Sequence, residues 1–84
     1  MNREEILQEA INLTCGQRNE AHGDPYENHL RIAKIWSVIL DLEITPAQVA
    51  LCMAGMKLAR LAYKHSNDSF IDLAAYAAIA GEVS

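Results

Sequence analysis

The chain has 84 residues, of which 51% are hydrophobic and 21% are charged, and its formal net charge is −4 at pH 7. This composition is too apolar for a disordered segment and predicts one small globular domain over residues 1–84. A net negative charge argues against general nucleic-acid binding, which needs a basic surface. The high hydrophobic fraction favours burial of some surface against copies of the same chain.

Two cysteines, Cys15 and Cys52, do not make a disulfide framework, and neither stands in a zinc-binding spacing. We expect both to be reduced thiols. The charged N-terminus, MNREEILQEA, is unlike a signal peptide. No run of about 18 apolar residues predicts a membrane span. The sequence therefore predicts a cytoplasmic protein without a membrane partner.

A capping-box pattern at Asn2 and Glu5 opens the first predicted helix. Apolar residues follow at helical spacing, and Gly16 suits the position just after a helix end. This helix is therefore expected over about residues 3–15. The next segment, QRNEAHG, is polar and has no periodicity, which predicts a loop rich in hydrogen-bonding side chains.

The second predicted helix begins at a strong start signal, in which Asp24 caps and Pro25 takes the first helical position. It runs to about Leu40. One arc of this helix is charged, and the opposite arc is expected to be buried. That arc consists of His29, Ile32, Ala33, Trp36, Ile39 and Leu40. A histidine on such an arc is more often a buried core residue with its hydrogen bonds made than a residue that binds a ligand. Asn28 lies at the edge of the arc.

The second half of the chain predicts a helical hairpin. Thr45-Pro46 repeats the cap-then-proline signal, and helix three spans about residues 46–63 with apolar or small residues on every side. Such a helix is buried, either centrally or against a partner subunit. After a turn, Asn67 or Asp68 is expected to cap helix four, which continues to about Glu82. The sequence thus predicts an all-α chain of four helices.

Five charged residues interrupt this apolar hairpin: Lys57, Arg60, Lys64, Asp68 and Asp72. A tight antiparallel turn would place Lys64 near Asp68 and Arg60 near Asp72, so one interpretation is two ion pairs that fasten the hairpin. The other interpretation is a ligand site. Carboxylates four residues apart can hold magnesium together with phosphates, and nearby cations can bind a polyphosphate. The residues alone leave both interpretations open.

Three segments together resemble a known family: RNEAHGDPYENHLRIAKIW, ITPAQVALCMAGMKLARL and NDSFIDLAAYAAIAGE. They are similar to a small bacteriophage protein family of unknown function that is usually grouped with the MazG-like, all-alpha nucleoside-triphosphate pyrophosphohydrolases. The resemblance covers about residues 18–82. It implies a four-helix MazG-like fold whose helical hairpins assemble into an oligomeric bundle, as a homodimer or homotetramer. It also implies magnesium-dependent release of pyrophosphate from a nucleotide.

The resemblance implies roles for particular residues. Asp68 and Asp72 match the later acidic pair of the superfamily, in the form D-x-x-x-D. The earlier E-E-x-x-E motif is absent from helix two, where Asn28 is the inward oxygen donor that would complete a Mg²⁺ site. The phosphates would be bound by Arg18, Lys57, Arg60 and Lys64, and the attacking water would be oriented by His22 or His29.

The alternative is a non-catalytic helical module of the same fold. It would be an oligomeric phage accessory protein that binds a nucleotide or a host protein in the host cytoplasm, and its hairpin charges would form buried ion pairs. The two functions differ in the predicted effect of Asp72→Asn. The enzyme would lose turnover with little loss of stability, whereas the module would show a sharp fall in melting temperature.

Overall fold

The computed structural model describes residues 1–16 and 23–84, and four helices account for most of them. They are α1 (Arg3–Thr14), α2 (Pro25–Leu40), α3 (Pro46–Tyr63) and α4 (Asn67–Val83). These two ranges contain no strand. The prediction of an all-α chain of four helices is confirmed, and each helix boundary lies within two residues of its expected position.

Local hydrogen bonds explain why the helices begin where they do. The Asn2 side chain accepts a hydrogen bond from the Glu5 N–H at 2.9 Å, and the Glu5 side chain accepts one from the Asn2 N–H at 3.0 Å. Thr45 and Gln48 form the same capping box at the start of α3. Asp24 caps α2, as predicted. Side chains close to each start therefore satisfy backbone donors that the helix itself cannot.

The cap of α4 differs from the prediction. Ser66, and not Asn67 or Asp68, is the N-cap: its Oγ accepts a hydrogen bond from the Ser69 N–H at 3.3 Å. Serine caps as well as asparagine or aspartate does, so residue type did not distinguish three adjacent capping residues. Asp68 lies in the first turn instead, where a negative charge interacts favourably with the helix dipole.

The short connection between α2 and α3 is held by Ser37. Its Oγ accepts a hydrogen bond from the Ile44 N–H at 2.9 Å and donates one to the Ala33 carbonyl oxygen at 2.7 Å. Asp41 ends α2 in the left-handed conformation with φ 55°, as Gly16 does after α1 with φ 73°. The last turn of α2 is thereby tied to the start of α3.

Helix α4 is the centre of the fold. It packs most extensively against α3 and also against α1, whereas α2 packs mainly on α3 and contacts α4 only slightly. The buried apolar side chains are mostly small: Ala10, Ala33, Val49, Ala50, Ala54, Ile71, Ala75 and Ala80. Small side chains let helices approach closely but bury little apolar area, so each contributes little hydrophobic stabilisation.

The expected burial of α2 is wrong at its C-terminal end. His29 and Ala33 are buried, but Ile39 and Leu40 are 71% and 56% exposed. Because α2 contacts α4 only slightly, no second helix covers this end within the described ranges. Helix α3 likewise exposes large apolar residues, including Leu51 and Leu58. In the part of the chain described, no helix combines the length and apolar character that crossing a membrane requires.

Candidate functional site

A pocket of about 290 Å³ lies between the end of α1, the start of α2 and the middle of α4. Its polar lining consists of Thr14, Asn28, His29, Asp72 and Tyr76. Three predicted site residues (Asn28, His29 and Asp72) therefore meet at one place, although they come from two helices far apart in the sequence. We refer to this cavity as the α2–α4 pocket.

His29 is the most deeply buried polar residue of the α2–α4 pocket, with 4% of its surface exposed. Its Nδ1 lies 2.7 Å from the carbonyl oxygen of Pro25, one turn earlier in α2. Since a carbonyl oxygen only accepts, Nδ1 carries the hydrogen and donates it. In the neutral ring Nε2 is then an acceptor, and this buried atom has no partner within the described ranges. A donor on a ligand would complete its hydrogen bonding.

Tyr76 fixes the same imidazole from the side of α4. The two rings meet edge to face, with centroids 6.0 Å apart and an interplanar angle of 63°. Tyr76 follows Asp72 by one helical turn, so both project toward the α2–α4 pocket. The Pro25 hydrogen bond and the Tyr76 contact together hold the orientation of His29.

Asp72 connects the pocket to α3 through an ion pair. Its Oδ2 lies 3.0 Å from the Nζ of Lys57, and the two side chains are 32% and 11% exposed, respectively. The lysine is nearly enclosed and needs this carboxylate, because an unpaired buried charge is costly. The carboxylate is more open and also lines the pocket.

The predicted partners of the hairpin charges are wrong. Asp72 was expected to face Arg60, but it pairs with Lys57, which lies nearly one helical turn earlier in α3. The reason is the register of the hairpin: three residues separate α3 from α4, and antiparallel packing across this turn brings the middle of α3 to Asp72. Within the described ranges, Asp68 forms no ion pair with Lys64.

The predicted phosphate-binding residues are divided between two places. Lys57 lies beside the α2–α4 pocket in its ion pair, whereas Arg60 and Lys64 line a separate depression at the α3–α4 turn. Asp68 is exposed and lines neither of these cavities. Arg18 and His22 lie outside the described residues.

Tyr76, like Thr14, lines the pocket but is not among the predicted site residues. Its spacing of four residues after Asp72 places both on one helical stripe, and this spacing is the signal that could have identified it. In the described part of the chain, no group of three or more His, Cys, Asp or Glu side chains is arranged to hold a metal ion. Both cysteines are free and exposed.

Comparison with known proteins gives the family. The model of a domain of unknown function, DUF6378, matches residues 5–84, which is nearly the whole chain. The chain belongs to the DUF6378 family. No solved structure matches this DUF6378 chain.

Relatives of the DUF6378 chain occur in mycobacteriophages. It is 44% identical over 75 residues to the Gene 55 protein of Mycobacterium phage D29, an alignment that covers 88% of this chain and 50% of the relative. It is 38% identical over 76 residues to the Gene 55 protein of Mycobacterium phage L5, covering 88% and 49%. The chain thus spans about half the length of these curated relatives. The predicted membership of a phage family of unknown function is confirmed, and the MazG-like grouping stays a prediction.

Proposed function

We propose that this DUF6378 chain is a MazG-like protein of the nucleoside-triphosphate pyrophosphohydrolase type and acts in the host cytoplasm. Its nucleotide would occupy the α2–α4 pocket. The observation that carries the proposal is the buried Nε2 of His29, which has no hydrogen-bond partner among residues 1–16 and 23–84 and lies at a pocket that Asn28 and Asp72 also line. A buried acceptor without a partner destabilises the fold, and a ligand that donates to it removes that cost.

The side-chain oxygen atoms of the pocket suit a magnesium ion that arrives with a nucleotide. Mg²⁺ is usually held by one or two carboxylates, keeps several waters and takes further ligands from phosphates. Asp72 and Asn28 would supply the oxygen ligands. Water that accompanies the ion would donate hydrogen bonds, and His29 Nε2 could accept one. Asp68 does not line this pocket and has no role as a ligand in the proposal.

The bound ion would supply charge stabilisation for cleavage of the phosphate chain. The protein side chains would accept the proton and position the reacting groups. Water would attack the α-phosphorus, the bond from that phosphorus to the bridging oxygen would break, and pyrophosphate would leave. His29 Nε2 would accept the proton of the attacking water, while the hydrogen bond from Nδ1–H to the Pro25 carbonyl oxygen holds the ring in place. Lys57 would position the Asp72 carboxylate and add a positive charge close to the phosphates.

A second candidate is the non-catalytic accessory module that binds a nucleotide or a host protein. The Lys57–Asp72 ion pair favours it, because the carboxylate already has a partner 3.0 Å away. Under this alternative the ion pair serves the hairpin alone, and Arg60 and Lys64 are solvated surface residues.

The test is a pyrophosphate-release assay with Mg²⁺ on each of the common nucleoside triphosphates. Asn28→Ala is the sharpest variant, because Asn28 is exposed at the pocket and its side chain makes no hydrogen bond to another described residue. The proposal expects turnover in the wild type and at least a tenfold loss in Asn28→Ala, with an unchanged melting temperature. Asn67→Ala, which lies outside the pocket, is the matched control. Absence of turnover on every substrate would favour the accessory module.

A further inference from the structure

The outer face of α2 carries an apolar stripe that nothing in the described chain covers. Ile35, Val38 and Ile39 lie on α2, and Leu42 follows its end. The three helical residues are spaced i, i+3 and i+4, which places them on one face. The four residues are 57%, 82%, 71% and 56% exposed, in that order. Ala33 on another face of α2 is buried against the fold. The helix therefore has two apolar faces, of which only one is used within the chain.

The whole chain also exposes more surface than a compact monomer of its mass. Its accessible surface is 5941 Å² at 9.3 kDa, whereas monomers of that mass expose roughly 5,000 Å². Its radius of gyration is 13.3 Å, against roughly 12 Å for a compact domain of this length. The excess surface is roughly 900 Å². Each partner in a standard protein interface buries about 800 Å², so the excess is comparable in size to one ordinary interface.

We propose that this stripe is the interface with a second copy of the chain, in which two α2 helices pack antiparallel about a two-fold axis between Val38 and Ile39. The stripe is self-complementary under that symmetry. Val38 of each copy meets Ile39 of the other, and Ile35 meets Leu42. The proposal is independent of the function of the α2–α4 pocket.

Charge complementarity selects the antiparallel arrangement. Arg31 and Lys34 lie toward the start of the stripe, and Asp41 and Glu43 lie at its end. All four are exposed, and none forms an ion pair with another described residue. Antiparallel packing brings the basic end of each stripe over the acidic end of the other, twice in each dimer. Parallel packing would bring like charges together.

Sedimentation velocity over a micromolar concentration series tests the interface on the full chain. Val38→Lys places a charge in the middle of the stripe, where Val38 is so exposed that the monomer fold should tolerate it. Lysine also suits the C-terminal part of a helix. We expect a wild-type dimer and at least a tenfold weaker dimer for Val38→Lys, with unchanged helical circular dichroism. Leu58→Lys, at a residue of α3 that is 55% exposed, is the control and should leave the dimer intact.

A charge exchange tests the orientation. Lys34→Glu should weaken the dimer, and addition of Glu43→Lys in the same chain should restore it. A monomeric wild type would overturn the proposal, and so would a dimer that Val38→Lys leaves intact or that Leu58→Lys weakens equally. Failure of the Lys34/Glu43 exchange to restore the dimer would overturn the antiparallel arrangement.

Discussion

Lys57 Nζ and Asp72 Oδ2 lie 3.0 Å apart, in an ion pair that joins α3 to α4. The same carboxylate lines the α2–α4 pocket beside His29 and Asn28. Asp72 therefore belongs both to the packing of the hairpin and to the candidate site. A variant of Asp72 changes stability as well as binding, so separating the two roles needs variants that affect only one of them.

The stability role is tested by removing one partner and then both. Asp72→Ala should lower the free energy of unfolding by about 1–3 kcal/mol, because it leaves the enclosed ammonium of Lys57 unpaired. Each kcal/mol corresponds to a fall in melting temperature of about 4–8 °C for a domain of this size. The double variant Lys57→Met/Asp72→Leu should recover most of the loss, since apolar replacement of a buried pair is often neutral. Thermal melts measure both, and a double variant as unstable as Asp72→Ala would refute the ion-pair account.

Two substitutions of His29 test the roles of its two nitrogen atoms separately. In His29→Asn the side-chain amide can donate to the Pro25 carbonyl as Nδ1 does, but nothing replaces Nε2. In His29→Gln the longer side chain can place its oxygen near the position of Nε2. Both variants should lose about 1–3 kcal/mol of stability, because each replaces a buried ring with a smaller side chain.

Nucleotide binding should distinguish these two variants. Titration of a fluorescent nucleotide triphosphate with Mg²⁺ should show tighter binding to His29→Gln than to His29→Asn, because only glutamine restores an acceptor toward the pocket. Equal binding by both variants would mean that Nε2 does not contact the ligand.

The cap of α4 gives a third prediction. Ser66→Ala should cost about 1 kcal/mol of stability, because it removes the acceptor for the Ser69 N–H. Asn67→Ala should change stability by less than about 0.5 kcal/mol, the usual range for surface substitutions. Chemical denaturation of the two variants compares them directly. A larger loss of stability in Asn67→Ala than in Ser66→Ala would mean that Asn67 is the N-cap of α4.

The sequence predicted the helices well because their limits depend on local chemistry. The capping residues Asn2, Asp24 and Thr45 bind backbone groups within three residues of themselves. The sequence signal for each helix start therefore lies next to that start. The α4 cap was misassigned because Ser66, Asn67 and Asp68 are all good capping residues, and only the backbone conformation shows which one is outside the helix.

The candidate site was predicted only in part, because side-chain partners depend on how helices pack. Periodicity correctly placed His29 on the inward arc of α2. It could not predict the register of α3 against α4. That register pairs Asp72 with Lys57 and leaves Arg60 exposed. Nor could it show that α4 leaves the far end of α2 uncovered, which is why Ile39 is exposed.

Titration calorimetry of the full chain is the most direct test of the central claim, that the α2–α4 pocket binds a nucleotide with a divalent metal. We expect a non-hydrolysable nucleotide triphosphate to bind the wild type only when Mg²⁺ or Mn²⁺ is present. Asn28→Ala should bind at least tenfold more weakly while melting like the wild type, and Asn67→Ala should bind normally. No heat of binding under any condition, or unchanged binding by Asn28→Ala, would contradict this claim. Lys57 and Asp72 would then serve only to join α3 to α4.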